Sequence, residues 1–257
     1  MLRARVLPCL LLRGSGFVKT TKFEKPIYLG DPRNVVKIFN EKEVDEFVIL
    51  DINATRDKRG PNMALLGEIV NEAFVPVGYG GGVQTLQQIE ALFKLGVEKV
   101  VINTYAAVRP DFVTEAARRF GSQSIVVSID AKRSVFGRYE VMTLCGTHRT
   151  GEEPVRYARR MVDAGAGELM VTSIDRDGTM SGYDLELTAA VSRAVSVPLV
   201  ACGGCGSVRD IERVVLEAGA AAAAAGSFFV FQGKHRAVLI SFPTPGELGK
   251  VRGTRAV

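Results

Sequence analysis

Asp130 is the clearest candidate for acid–base chemistry in this chain of 257 residues. It directly follows the largely apolar segment 124–129, and the alternation of side chains along a strand would point its carboxyl group toward the open end of a sheet or barrel. A carboxyl group in such a place can donate or accept a proton at a bound substrate. Both histidines, His148 and His235, lie away from such strand ends, so histidine catalysis is not expected. Further candidates are Lys19, Asp51, Asp175 and Asp177, of which Asp177 could instead cap a helix.

Glycines and hydroxyl residues after other apolar segments could hold phosphate groups. Backbone N–H groups at glycine-rich strand ends and helix starts bind anions, and a Thr or Ser hydroxyl adds a donor. The residues fall into two sets, which are Gly82, Asn103 and Thr104, and Gly178, Gly204, Gly226 and Ser227. Two such cradles on opposite sides of one opening would fit a ligand with a phosphate at each end. A Gly-Gly pair can also be no more than a tight turn.

Strand-like apolar segments alternate with amphipathic, helix-like ones along the whole chain. We expect strands at 5–11, 46–51, 75–79, 97–102, 124–129, 168–173, 197–202 and 219–225. Eight such units predict a (β/α)₈ TIM barrel, whose active sites lie at the C-terminal strand ends. A doubly wound sheet is the alternative, although it usually has fewer strands. We place the barrel, as one domain, in residues 1–243. Residues 244–257 lack core-like periodicity, and we expect a mobile tail.

An internal repeat divides the predicted barrel into two halves offset by about 120 residues. The segment that begins at Val75 with "VPVGYGGGVQT" aligns with the one that begins at Val197 with "VPLVACGGCGS". This alignment predicts a strand for the run Ala220–Ala225, although alanine by itself favours helix. The first strand aligns with "SIVVSIDAK", so that Leu11 falls opposite Asp130. One half-barrel therefore has a leucine where the other has the candidate acid.

The composition argues against several function classes. The net charge of +5 comes from scattered basic residues, which does not favour nucleic-acid binding but suits small anionic ligands. No apolar run approaches the ~18 residues that a membrane-spanning helix needs. The four cysteines are too sparse for a disulfide-rich secreted scaffold, and we expect a cytoplasmic protein. The motif "CGGC" at 202–205 lacks the further ligands of a zinc site, and neither a metal nor a cofactor is expected.

Several motifs resemble the cyclase subunit of imidazole glycerol phosphate synthase. The most specific are "SQSIVVSIDAKR", "SIDRDGTMSGYD" and "ACGGCGS", and the resemblance covers about residues 2–240. It implies a (β/α)₈ barrel that receives ammonia from a glutaminase subunit docked at its N-terminal face. It also implies a bis-phosphate ribonucleotide as substrate, in agreement with the two cradles.

The resemblance carries over to individual residues. It implies that Asp130 is one of the family's two catalytic aspartates and that Arg5, Glu46, Lys99 and Glu168 form a charged ring that gates the ammonia path. Four mixed charges at strand starts could also be only a solvated ring of salt bridges. The pocket residues implied are Lys19, Asp51, Gly82, Asn103, Thr104, Thr172, Asp177, Gly178, Gly204, Gly226 and Ser227. The family often has alanine where this chain has Gly226.

The clearest departure from the family is Leu11, because the family's second catalytic aspartate belongs at this position. Asp51 and Lys19 are the nearest candidates to assist Asp130. The C-terminal segment "GSFFVFQGKHRAVLISFP" resembles a paralogous branch associated with surface-polysaccharide genes, which is thought to pass ammonia to a third, sugar-amidating protein. We therefore expect such a paralogue with a glutaminase partner. The alternatives are a genuine cyclase of histidine biosynthesis and a non-catalytic scaffold that activates its glutaminase.

Overall fold

The computed structural model describes residues 3–252. The strands in these residues are β1 Arg5–Arg13, β2 Gly16–Thr21, β3 Glu24–Gly30, β4 Phe47–Asp51, β5 Val77–Gly80, β6 Lys99–Ile102, β7 Ile125–Arg133, β8 Tyr139–Thr143, β9 His148–Arg149, β10 Glu168–Ser173, β11 Leu199–Cys202, β12 Ala222–Ala225, β13 Phe231–Gln232 and β14 Ala237–Val238. The helices are α1 Pro32–Asn40, α2 Met63–Glu72, α3 Leu86–Lys94, α4 Thr104–Val108, α5 Asp111–Phe120, α6 Pro154–Asp163, α7 Leu185–Ser192, α8 Val208–Leu216, α9 Ser227–Val230 and α10 Gly249–Arg252.

Eight parallel strands close into a barrel in the order β1, β4, β5, β6, β7, β10, β11, β12 and back to β1. Helices between the strands pack around it, so the predicted (β/α)₈ TIM barrel is confirmed. Each of the eight predicted strands is present, with ends shifted by up to a few residues. The helix starts have clear sequence causes: Thr85 and Gln88 form a capping box at α3, and Asp31 caps α1 ahead of Pro32.

The alanine run forms a strand, as the repeat predicts. Ala222–Ala225 pairs with β1 on one side and β11 on the other, and all four residues are buried. Ala222 and Ala224 face the barrel interior, while Ala223 and Ala225 pack in the outer core beneath the helices. Two-sided backbone pairing in a buried place outweighs the helix preference of alanine, because tertiary contacts override intrinsic propensity. The small side chains also leave room inside the barrel for larger neighbours.

The strand registers agree with the two-half repeat. Leu11 pairs with Leu50 between β1 and β4, and Asp130 pairs with Thr172 between β7 and β10. Each half also adds a hairpin at the same place, β2–β3 after β1 and β8–β9 after β7. Leu11 and Asp130 therefore occupy equivalent positions in the two halves.

The mobile tail expected from Thr244 stays a prediction, although residues 244–252 contact the barrel. Leu248 and Val251 are buried, the Val251 carbonyl accepts from the Ala4 N–H at 3.3 Å, and Arg252 contacts Asp45 at 2.7 Å. Two apolar residues three apart are too short a pattern to give a periodic signal. Residues 253–257 lie outside the described part.

No helix within residues 3–252 has the length and apolar character required to cross a membrane.

Candidate functional site

A cavity of about 400 Å³ opens at the C-terminal ends of the barrel strands. Its lining includes Leu11, Asp130 and Thr172, together with residues of both predicted phosphate cradles. This is the end at which TIM barrels carry their active sites. Of the acid–base candidates, Lys19, Asp51, Asp130 and Asp177 surround this space. Asp175 does not line it and instead accepts from the Arg133 N–H at 2.8 Å.

Asp130 is buried on the wall of this cavity. Asn103 Nδ2 donates to its carboxylate at 3.1 Å and also to the Ser128 carbonyl at 3.0 Å, so Asn103 holds Asp130 in one orientation. Burial raises the pKa of Asp130 to about 7; the Asn103 hydrogen bond opposes this rise, and the nearby charge of Asp177 adds to it. A carboxyl group that titrates near neutral pH is suited to both donating and accepting a proton.

Leu11 occupies the equivalent place in the first half-barrel. Its side chain is 8 % exposed and packs in the inner apolar cluster with Cys9, Val18, Val101 and others. A leucine can neither move a proton nor hold a water molecule by a hydrogen bond. The first half of the mouth therefore lacks the acid–base group that the second half has.

Lys19 and Asp177 form a buried ion pair across the mouth. Lys19 Nζ lies 2.8 Å from Asp177 Oδ1, and Thr20 Oγ1 donates to Asp177 Oδ2 at 3.2 Å. The Asp177 N–H is used within its own loop by the Ser173 carbonyl at 2.9 Å. In this structure Asp177 thus orients Lys19, and its predicted part in phosphate binding stays a prediction.

Asp51 is engaged in holding the loop that follows β4. Its Oδ1 accepts from the N–H groups of Asn53 and Ala54, both at 3.1 Å, and its Oδ2 lies 2.8 Å from Arg59 Nη1. These contacts engage Asp51 in its own loop, and its predicted role as an assistant to Asp130 stays a prediction. Sequence reasoning could not distinguish these roles because both place an acid at a strand end.

The first cradle contains Gly82, Asn103 and Thr104, all of which line the cavity. Thr104 begins α4, and its Oγ1 accepts from the Leu144 N–H at 3.1 Å. Asn103 has a role beyond the cradle because it also fixes Asp130. Arg56 also lines the cavity and brings a positive charge that sequence reasoning missed. The signal available in the sequence was that Arg56 lies in the loop after Asp51, the last residue of β4.

The second cradle contains Gly178, Gly204, Gly226 and Ser227, which also line the cavity. The Ser227 hydroxyl is buried and has no hydrogen-bond partner in the described residues, so an incoming acceptor could satisfy it. A Cβ at Gly226 would lie 2.9 Å from the Cδ and Cε of Lys19. Glycine at this position therefore leaves room for the Lys19 stem above the cradle.

The predicted ring of charges forms at the opposite, N-terminal end of the barrel. Arg5, Lys99 and Glu168 begin β1, β6 and β10, and Glu46 directly precedes β4. Lys99 Nζ lies 2.8 Å from Glu168 and 3.3 Å from Glu46, while Arg5 contacts Glu46 at 2.5 Å and also pairs with Glu168. Each cation thus contacts both glutamates, and the ring closes.

Between this ring and the cavity, the barrel interior is apolar. The inner cluster includes Leu7, Val48, Val126, Met170 and Val200. Neutral molecules cross such a region more readily than ions do.

The family model described as "Histidine biosynthesis protein" matches residues 5–236. The chain belongs to this family. A Pseudomonas aeruginosa relative named "Putative imidazole glycerol phosphate synthase subunit hisF2" is 48 % identical over 96 % of this chain and 99 % of its own length. A Vibrio vulnificus relative of the same name with the suffix hisF3 is 45 % identical over 97 % of this chain and 96 % of its own.

A third relative is the "Imidazole glycerol phosphate synthase subunit HisF" of Alkaliphilus metalliredigens, which is 42 % identical over 89 % of this chain and 91 % of its own length. These likenesses confirm that the resemblance to the cyclase subunit of imidazole glycerol phosphate synthase is real. They extend over nearly the whole barrel, so the residues at both of its ends belong to the matched region.

Another contact of the site lies near the C-terminal end of the family match. Arg236, between β13 and β14, donates to the Gly178 carbonyl and lies 3.4 Å from Thr21 Oγ1. The Lys22 N–H donates to the Asp177 carbonyl at 2.9 Å. These bonds tie the β2 strand and the 174–179 loop together beside the second cradle. Sequence reasoning missed Arg236 because this residue lies in the C-terminal segment, which the internal repeat does not cover. A single cation there gives no further signal.

All four cysteines are free thiols and line the cavity. Cys202 and Cys205 flank Gly203 and Gly204, as expected for ordinary residues around a glycine turn. Within residues 3–252, no group of three or more His, Cys, Asp and Glu side chains is arranged to hold a metal ion.

Proposed function

We propose that this chain is the ammonia-accepting synthase subunit of a glutamine-dependent amidotransferase, and that it delivers ammonia for the amidation of a surface-polysaccharide sugar. The observation that carries the proposal is Leu11, an apolar residue in the place equivalent to Asp130. Opening and closing an imidazole ring requires proton donation and removal at different atoms, and therefore a pair of groups. A subunit that only passes ammonia onward does not need the pair.

A glutaminase partner follows from the charged end of the barrel. The relatives are named as subunits, and the ring of Arg5, Glu46, Lys99 and Glu168 closes the end opposite the cavity. A glutaminase docked there would release ammonia at the ring. The apolar interior beyond it favours neutral ammonia over the ammonium ion.

The cavity supports binding of a phosphate ester within the same proposal. The unpartnered Ser227 hydroxyl, the Lys19 ammonium group and the two cradles offer donors at opposite sides of the mouth. A bis-phosphate ligand matches this arrangement. Asp130 would remain as a buried acid able to move a proton at the bound molecule.

A genuine cyclase of histidine biosynthesis is the second candidate. It is favoured by Asp130 itself, whose pKa near 7 and fixed orientation are what a catalytic acid needs. The third possibility, a scaffold that only activates its glutaminase, predicts glutamine hydrolysis without passage of ammonia through the barrel.

Blocking the charged ring tests the proposal. In the complex of the barrel, its glutaminase and a sugar-amidating enzyme, we expect a Lys99→Met, Glu168→Gln double variant to lose glutamine-driven amidation while glutamine hydrolysis continues. Amidation driven by added ammonium salt should be retained, because that ammonia does not cross the ring. Undiminished glutamine-driven amidation in the variant would contradict the proposal, since ammonia would then bypass the barrel.

A further inference from the structure

Phe74 is an aromatic side chain left in solvent at the charged end of the barrel. It lies in the loop between α2 and β5 and is 83 % exposed. Two other aromatic residues in the described part of the chain are largely exposed, Tyr28 and Phe136, and both belong to the hairpins at the opposite, cavity end. Of the three largely exposed aromatic residues in the described part of the chain, Phe74 is therefore the one at the charged end of the barrel. The ring of Arg5, Glu46, Lys99 and Glu168 lies at this same end.

The backbone that carries Phe74 is held in place by Asn40. The Asn40 amide donates from Nδ2 to the Glu72 carbonyl at 2.6 Å, and its Oδ1 accepts from the Phe74 N–H at 3.2 Å. Both ends of the side-chain amide are thus used to clamp the three residues 72–74. A side chain presented from an ordered backbone loses less conformational entropy on binding than one on a loose loop.

The same loop is tied to the charged ring. The Phe47 N–H donates to the Pro76 carbonyl at 2.9 Å, and Phe47 directly follows the ring residue Glu46. Any protein that covers the ring to release ammonia there must also pass over or beside this loop. The partner expected at this surface is therefore the glutaminase of the proposed function.

We propose that Phe74 is an aromatic anchor by which the barrel binds its glutaminase, inserting into an apolar pocket of that partner; the inference rests on the proposed function for the presence of a glutaminase. Aromatic side chains that fill a pocket near the centre of an interface often contribute most of the binding energy. Here the anchor lies beside the entrance for ammonia. Binding through Phe74 would therefore also align the glutaminase with the ring.

The test measures binding of the full-length barrel to each purified glutaminase subunit of the imidazole glycerol phosphate synthase type from Pseudomonas aeruginosa, by biolayer interferometry. We expect Phe74→Ala to raise Kd at least about 10-fold, and Phe74→Tyr, which keeps the ring, to stay within about threefold of the wild type. The matched control is Phe136→Ala, which removes an equally exposed phenyl ring from the cavity end and should leave Kd unchanged.

The same experiment distinguishes a folding defect from failure of the Phe74 proposal and from failure of the proposed glutaminase partner. Because Phe74 is exposed, Phe74→Ala should melt at the wild-type temperature, and Asn40→Ala should raise Kd by less than Phe74→Ala does. Equal Kd values for the wild type and Phe74→Ala would overturn the assignment of Phe74 alone. Failure of the wild-type barrel to bind any of these subunits would overturn the glutaminase partner as well.

Discussion

The two halves of the barrel differ in the residue at one functional position, which is Leu11 in the first half and Asp130 in the second. In the second half, Asp130 is buried, oriented by Asn103 and able to titrate near neutral pH. In the first half, Leu11 packs among apolar side chains and has no polar atom in its side chain. Both halves still contribute to the phosphate cradles and to the charged ring. The first half has thus kept its binding elements without the acid.

The first half contributes a cation to the mouth instead. Lys19, on the hairpin that follows β1, reaches across to Asp177 in the second half. Its stem lies above Gly226, where a methyl group would crowd it. An ion pair of this kind can orient a ligand's phosphate, but it leaves the position of Leu11 without an acid.

Leu11→Asp is the largest expected change, because it would restore an acid to the first half. A general acid–base group contributes on the order of 10²–10⁴ in rate, so we expect cyclase turnover with ammonium salt and the bis-phosphate ribonucleotide to rise by at least about 10². The measurement is steady-state formation of imidazole glycerol phosphate. Leu11→Asn, which has a similar shape but no titratable proton, is the control and should give no such rise. Absence of any gain would mean that the cavity has diverged beyond this one residue.

Asp130→Asn should alter how stability depends on pH. The pKa of Asp130 is about 7 in the folded protein and about 4 in the unfolded chain, so ionisation of the buried carboxyl group costs stability as the pH rises through this window. Asparagine has no such cost. The free energy of unfolding in urea should be similar for the two proteins near pH 4. Above pH 7, the variant should be more stable by up to about 4 kcal/mol. A difference that stays constant from pH 4 to 8 would contradict the raised pKa.

Ser227→Ala tests the second cradle. The buried Ser227 hydroxyl has no partner in the described residues, so its removal should leave the ligand-free protein equally stable or more so. A hydrogen bond to a charged phosphate is typically worth about 1.5–3 kcal/mol, so Kd for inorganic phosphate should rise about 10- to 100-fold. Ligand-dependent thermal shifts would measure this. Ser192→Ala removes a hydroxyl that bonds the Gly219 carbonyl far from the cavity and serves as control. Unchanged phosphate affinity in Ser227→Ala would remove Ser227 from the site.

Asn103→Ala has the smallest expected effect on the comparison. Its amide favours the ionised form of Asp130, so its loss should raise the pKa of Asp130 further, by less than about one unit. Carbon-13 NMR of the labelled Asp130 carboxyl group across pH 5–9 would report the change. A fall in the pKa would contradict the role given to Asn103.

The barrel could be predicted from the sequence because its signals repeat. The eight apolar segments and the two-half alignment each pointed to the same strands, and the alignment correctly assigned the alanine run against its helix preference. The absence of an acid at Leu11 could be recognised for the same reason, because the repeat aligns Leu11 with Asp130. Periodicity and internal repetition can both be read directly from the order of residues.

The roles of individual polar residues could not be predicted in the same way. Asp51 and Asp177 follow strands as Asp130 does, yet Arg59 and Lys19 engage their carboxylates. Arg236 and the buried Leu248 depend on contacts between distant parts of the chain and leave no local pattern. Which partner an acid meets is decided by the folded geometry, which a spacing pattern does not encode.

The central claim is that this barrel passes ammonia onward and does not close an imidazole ring. Its most direct test is the turnover number of the purified wild-type barrel with the bis-phosphate ribonucleotide and ammonium salt, measured beside the Alkaliphilus metalliredigens relative under the same conditions. We predict a turnover at least about 10² below that of the relative, because Leu11 cannot move a proton at the position equivalent to Asp130. Turnover equal to that of the relative would contradict the claim and assign the protein to the cyclases.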